Sequence, residues 1–255
     1  MTLWAVVPVK PFARAKQRLA GELSGAQRAV LAACMLRDVL AALAATPALA
    51  GRLVVTADAA AAALARSLGA TVLPEPEPAG LNEAVRAAAA WVQAQGGRAM
   101  LVVPGDAPGV TTDELAQLAA AHAAGAAVAL VPAHDEGGTN ALLLSPPTRL
   151  APAFGVGSFG RHLRAARAAG LAPQVLALPG LGLDLDHPQD LARFALSQTC
   201  TATHTARWLA VHAADSRPQA LPTPAASADT LGGAPAPFTR SPAACPPRAP
   251  TAAIS

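Results

Sequence analysis

The sequence predicts an α/β fold with a mostly parallel sheet covered by helices on both faces. Three observations predict it. Strand-like and helix-like segments alternate through about residue 197. The strand-like segments are near-continuous apolar runs, the pattern of strands buried on both sides. The loops at 10–18, 104–109 and 184–187 fall at or near the carboxyl ends of strands, where open α/β sheets place their functional groups.

The elements follow in order. Leu3 to Val9 is an apolar run that ends at Pro8-Val9-Lys10-Pro11, a strand entering a loop. Ser24 with Gln27 forms a capping-box signature, and a helical pattern continues through Leu43. Strands are expected at 52–56 and 71–73, with a helix from about Ala59 to Leu68 between them, stopped by Gly69. The Pro-rich segment 74–79 is a loop, and a helix runs from about Leu81 to Gln95. Ala99 to Val103 is a buried strand, broken by Pro104-Gly105, and Thr111 with Glu114 caps the helix that ends near Gly125. Strands at 127–131 and 140–144, a helix at 158–169, a strand at 174–178 and a helix at 188–196 complete the domain. Pro188 suits the first position of that last helix.

Beyond about residue 197 the chain turns Pro- and Ala-rich and loses its apolar period, so residues 198–255 read as a disordered tail, with one short helical turn at 206–213. The expected domain is 1–197.

Composition excludes several functions. Through residue 197 there are 15 Lys+Arg against 14 Asp+Glu, so the basic character of the whole chain gives the domain no nucleic-acid footprint. Tyrosine is absent and aromatics are 3%, which argues against a base-stacking surface. Three scattered cysteines make neither a disulfide framework nor a zinc site. No apolar run spans a membrane without a charge or proline, and no signal peptide is evident, so the cytoplasm is the expected location.

Four constellations carry chemistry. Two small-residue clusters, Gly137-Gly138-Thr139-Asn140 and Phe154-Gly155-Val156-Gly157-Ser158, resemble anion nests, the second at a helix start; the alternative is a hairpin and an ordinary N-cap. Lys10, Arg14, Lys16 and Arg18 follow the first strand, where cations suit a triphosphate and its pyrophosphate leaving group; the alternative is a solvated basic loop. Neither a Walker pattern nor G-x-G-x-x-G is present there. Asp106, between Pro104 and Pro108 just past a buried strand, can hold Mg²⁺ or simply occupy a turn. Asp184 and Asp186, two apart at an expected strand end, point to one face and repel unless a cation lies between them; the alternative is a strand end plus an N-cap. Gly80-Leu81-Asn82 adds an Asn at a helix start, a further candidate beside its reading as a cap.

Together these segments, in order over residues 8–186, resemble the 2-phospho-L-lactate guanylyltransferase family of coenzyme F420 biosynthesis, with Ala107 standing where a larger apolar residue is usual. The resemblance implies a three-layer, Rossmann-like fold of the nucleotide-diphospho-sugar transferase type. It implies transfer of GMP from GTP to 2-phospho-L-lactate, phosphoenolpyruvate or 3-phospho-D-glycerate. It implies Mg²⁺ held by Asp106, Asp184 and Asp186, and the phospho-acid bound by Thr139, Gly155 and Ser158. Lys10 and Lys16 would grip phosphates, with Arg18 and Asn82 at the nucleotide. Partners are then GTP and a small phosphorylated carboxylic acid; neither nucleic acid nor membrane is expected, and a homodimer is one option. Two other readings stand beside it: a nucleotidyltransferase for a molybdenum-cofactor or sugar-phosphate acceptor, and a nucleotide-binding module without turnover.

Overall fold

A computed structural model of the chain describes residues 2–75, 77, 79–134, 137–197 and 202–215. Seven strands form one sheet in the order β3-β2-β1-β4-β6-β5-β7. β1 (Leu3–Pro8), β2 (Gly51–Thr56), β3 (Thr71–Pro74) and β4 (Ala99–Val102) are mutually parallel. β6 (Thr139–Leu144) runs antiparallel to both β4 and β5 (Val128–Pro132), and β7 (Gln174–Val175) runs parallel to β5. The expectation of a mostly parallel sheet is met, with one reversed strand inserted beside β4. That reversal brings the start of β6 next to the end of β4.

Alternation along the strands builds two cores. Ala5 and Val7 of β1 join the core under α1 (Gly25–Ala44), α2 (Ala59–Ser67) and α4 (Thr112–Ala123). Val6 joins the opposite core under α3 (Leu81–Ala94) and α5 (Ser158–Ala168). Both expected capping boxes form, at Ser24 with Gln27 and at Thr111 with Glu114. Glu114 also accepts a hydrogen bond from the Gly180 amide at 2.7 Å, which ties α4 to α6 (Pro179–Gly182).

Three local features differ from the sequence reading. The loop after β1 contains two 3-10 turns, Phe12–Arg14 and Gln17–Leu19, because Phe12 and Leu19 are buried and pull the chain inward. α6 forms where no element was expected, started by Pro179 at its first position. Asp184 and Asp186 lie in an unpaired extended segment between α6 and α7 (Pro188–Ala195), not at the end of a strand.

Order also continues past residue 197. α8 (His204–Asp215) packs on α1 and belongs to the same compact unit as the sheet. The reason lies far away in sequence: Asp38 of α1, 8% exposed, accepts hydrogen bonds from the His204 and Thr205 amides at 2.7 and 2.8 Å. Thr203 Oγ1 accepts from the Ala206 amide at 3.0 Å. The free N–H groups of the first helical turn are thus satisfied by a distant carboxylate and a local hydroxyl. Residues 198–201 and 216–255 of the expected tail lie outside the described residues. Asp38→Ala is expected to cost about 2–3 kcal/mol, since two charge-assisted bonds are lost. Urea unfolding together with faster proteolytic cleavage within α8 would show it.

Candidate active site

The loop after β1, the loop after β4 and the segment between α6 and α7 meet at the carboxyl edge of the parallel strands. Lys16 is the centre of that meeting. Its backbone is left-handed (φ 53°), the only such non-glycine among the described residues. That conformation costs about 1–2 kcal/mol. It aims the side chain inward, where Nζ donates to Asp106 Oδ2 at 2.7 Å and to Asp186 Oδ1 at 2.9 Å. Burial works against the Lys16 charge, but the carboxylates of Asp106 and Asp186 outweigh it and hold the ammonium above its ordinary range.

Asp106, Asp184 and Asp186 each present a carboxylate oxygen within 4.8 Å of the others. Leu185 between the pair is fully buried, so the alternation expected of a strand survives in the extended segment. The Leu185 amide donates to the Asp106 carbonyl at 3.1 Å, which pins the two loops together. Asn140, at the start of β6, donates to Asp184 Oδ1 and to the Leu181 carbonyl, each at 3.1 Å. Burial, then the charges of Asp106 and Asp186, push the Asp184 carboxyl up. Burial also opposes ionisation of Asp186, but Lys16, Arg18 and Lys10 outweigh it and hold that carboxyl below its usual range. Asp186 does no capping, because Asp190 accepts from both the Asp186 and His187 amides at the start of α7.

The fit to a divalent cation follows from charge. Three carboxylates against the one Lys16 ammonium leave a formal charge of −2 at this point. All the donors are hard oxygens, as Mg²⁺ prefers.

The second nest is more tightly organised than its composition suggests. The helix α5 is capped by Gly157 in a left-handed conformation, and Ser158 is the first helical residue rather than the cap. Ser158 Oγ instead accepts from the Thr139 amide at 2.9 Å. Thr139 Oγ1 lies 3.0 Å from His162 Nδ1, and the Ala153 amide donates to His162 Nε2 at 2.9 Å. An accepting Nε2 leaves the neutral ring's proton on Nδ1, so the ring donates to Thr139. Each hydroxyl therefore accepts one internal bond, and Thr139, which lines the cleft, keeps its own proton for a ligand. The 153–157 loop is held from three sides: Asn82 bonds both the amide and the carbonyl of Phe154, Arg161 donates to the Ala153 and Val156 carbonyls, and His162 takes the Ala153 amide. Gly155 adopts φ 117°, a conformation closed to side-chain-bearing residues.

Burial, followed by the nearby Arg161 charge, lowers the His162 pKa to about 4 from 6.5. The sign is that of a depressed group. Between pH 6.5 and 4 the unfolded chain takes up a proton that the native state refuses, so stability is present above that window and falls as pH drops through it. Relative to His162→Gln, the native chain is expected to lose about 2–3 kcal/mol between pH 7 and 4.5, read from urea unfolding at each pH.

One cleft of about 570 Å³ is lined by Lys10, Lys16, Arg18, Asp106, Thr139 and Asp186, among others. The structure thus brings together most of the residues expected at the site. Asp184 and Ser158 stand just behind that surface, bonded to Asn140 and Thr139. Asn82 is placed differently from its expected nucleotide role, since both ends of its amide are committed to Phe154. Arg18, 64% exposed in its side chain, reaches Asp186 at 3.3 Å from the rim. His162 and Arg161 are organising residues to which sequence reasoning assigned no role, and Asn140, expected as part of the first nest, bonds Asp184 of the triad. The spacing of His162 from Ser158, one helical turn on the same face of α5, was the available signal.

The fold and the site define a nucleotidyltransferase-type α/β protein. Its solved structural relatives include a chain from Desulfovibrio desulfuricans G20 described as a nucleotide-diphospho-sugar transferase (TM-score 0.69, 17% identity, 84% of this chain and 96% of that one). A 4-diphosphocytidyl-2C-methyl-D-erythritol synthase is also similar in fold (TM-score 0.54, 17% identity, 75% and 96% covered). Residues 3–220 match the family described as Guanylyl transferase CofC like, and the chain belongs to that family. It is 40% identical over 192 residues to a phosphoenolpyruvate guanylyltransferase of Conexibacter woesei, covering 75% of this chain and 86% of that one. It is 37% identical over 202 residues to a 3-phospho-D-glycerate guanylyltransferase of Phenylobacterium zucineum, covering 75% and 88%. The family match takes in α8, in accord with its packing on α1. No helix among the described residues is long and apolar enough to cross a membrane.

Proposed function

We propose that the protein transfers GMP from GTP to a phosphorylated three-carbon acid and releases pyrophosphate, as a step of coenzyme F420 biosynthesis. The observation that carries this reading is the acidic triad with its buried lysine at a cleft that Thr139 also lines. Membership of a guanylyltransferase family supports GTP as the donor nucleotide. The names of the relatives favour phosphoenolpyruvate or 3-phospho-D-glycerate as acceptor, with 2-phospho-L-lactate the third candidate.

The acceptor's phosphate is ionised near neutral pH, so the chain need not supply a general base. One phosphate oxygen of the acid forms the new bond to the α-phosphorus of GTP, and the bond from that phosphorus to the pyrophosphate oxygen breaks. Thr139 donates its free hydroxyl proton to the acid, Ser158 holds the Thr139 amide from behind, and Gly155 gives the 153–157 loop the backbone conformation that completes the acid's nest. Lys16, with Lys10 and Arg18 nearer the rim, places positive charge where the leaving pyrophosphate gathers negative charge. Mg²⁺ held by Asp106, Asp184 and Asp186 would supply the remaining charge neutralisation. We place the reaction in the cytoplasm.

The test is a pyrophosphate-release assay with GTP, Mg²⁺ and each acid in turn, repeated with ATP and CTP. Turnover with GTP and one of the three acids is expected. GTP binding with no release for any acid would replace this reading by a binding module, and turnover only with a sugar phosphate or pterin acceptor would replace it by another nucleotidyltransferase.

A further inference from the structure

The geometry points to Glu75 as the residue that reads the guanine base, an inference that rests on the proposed use of GTP. Glu75 follows β3 directly, and its backbone amide continues the parallel ladder by donating to the Thr56 carbonyl at 3.0 Å. It is therefore fixed to the sheet although it begins a loop. Its side chain lines the same cleft as Lys16 and Asp106.

Three carboxylates line that cleft: Glu75, Asp106 and Asp186. The two aspartates are engaged by Lys16. Glu75 has no cationic partner among the described residues; partial burial pushes its carboxyl up, and a hydrogen bond from the Ala79 amide offsets part of that. Beside it, Gly80 adopts φ 94° and has no atom within 4 Å of where a Cβ would stand, which leaves open space against the backbone at the start of α3. Leu81 and Ala84 continue the cleft wall as an apolar surface suited to a base face.

The chemistry of the bases selects among ligands. Guanine presents two neighbouring donors, N1–H and the 2-amino group, and a carboxylate accepts both at once. Adenine and cytosine present a ring-nitrogen lone pair at the matching position, which a carboxylate repels. The separation also fits. β3, β2, β1 and β4 are adjacent, so Glu75 and Asp106 follow strands about 14 Å apart, three inter-strand spacings. A nucleoside triphosphate spans such a distance from base edge to phosphates. It exceeds the screening length of about 8 Å, so the Glu75 charge does not oppose the triphosphate.

The experiment measures binding of GTP and XTP, each with Mg²⁺ and without acid, to the full chain, to Glu75→Gln and to Glu77→Gln. Glu77 is exposed and is not part of the cleft lining, so its variant is the control. Xanthine replaces the 2-amino donor by a carbonyl, which a glutamine amide can donate to while still accepting from N1–H. In Glu75→Gln, GTP is expected to bind about tenfold or more weaker and XTP about tenfold or more tighter, the scale of a bidentate base contact. The gain for XTP is a result that a damaged fold cannot imitate. An unchanged ratio of GTP to XTP affinity, or equal loss of both, overturns the role of Glu75 alone. If the native chain fails to bind GTP, the proposed donor falls first and the base assignment with it.

Discussion

Asp106→Asn is expected to lower turnover by about 10²–10³-fold, the scale of losing one preorganised charge-stabilising group at a reacting phosphoryl centre. The substitution keeps shape and removes charge. The triad with its lysine would go from a formal −2 to −1, too little to hold a divalent cation firmly. Lys16 would keep one carboxylate partner, Asp186 at 2.9 Å, and so would stay in place. The Asp106 side chain is 36% exposed, so the fold tolerates the change. Steady-state kinetics with GTP and the acid, beside a thermal melt that shows an intact fold, are the measurements. Near-native turnover would remove the triad from the reaction.

Lys16→Met is expected to separate two properties that usually move together. Turnover should fall by about 10²-fold or more, because the buried cation that the proposed reaction sets against the leaving group is gone. Affinity for Mg²⁺ alone should rise by about tenfold, because three carboxylates would then lack their internal counter-charge and the cation would no longer compete with an ammonium for Asp106 and Asp186. Calorimetric titration of the nucleotide-free protein reads the second effect independently of activity. Weaker or unchanged cation binding would show that Lys16 and the metal do not share these carboxylates. Methionine approximates the length of the lysine stem and fills the same buried volume, so the comparison is of charge.

Much of the fold was legible because its signals are local. Ser24 with Gln27 and Thr111 with Glu114 announced two helices that form with both halves of their capping boxes. Val6 and Val7 point to opposite cores, as a strand buried on both faces requires. What escaped depends on contacts between distant residues. α8 starts where it does because Asp38 caps it from 166 residues away. Nothing near His204 records that. Likewise the acids of the site could be named from sequence, Asp106 by its place just past a buried strand and Asp184 and Asp186 by their spacing of two, and the three do converge. The proton arrangement around Thr139 could not, since it requires knowing that His162 Nε2 accepts from Ala153. Asn82 shows the opposite failure: an amide at a helix start near a ligand loop reads as a contact, and its commitment to Phe154 appears only in three dimensions.

The lysine–aspartate pairing that closes the centre joins positions 170 residues apart. A ribosome therefore releases nearly the whole domain before the last two acids emerge, and the face of α1 that receives α8 stays open longer still. On the proposed reaction, a chain that ends before the α6–α7 segment lacks Asp184 and Asp186 and is expected to be inert rather than partly active. The sheet is complete at β7, and the centre and the α8 seat are filled only afterwards, by the residues that follow it.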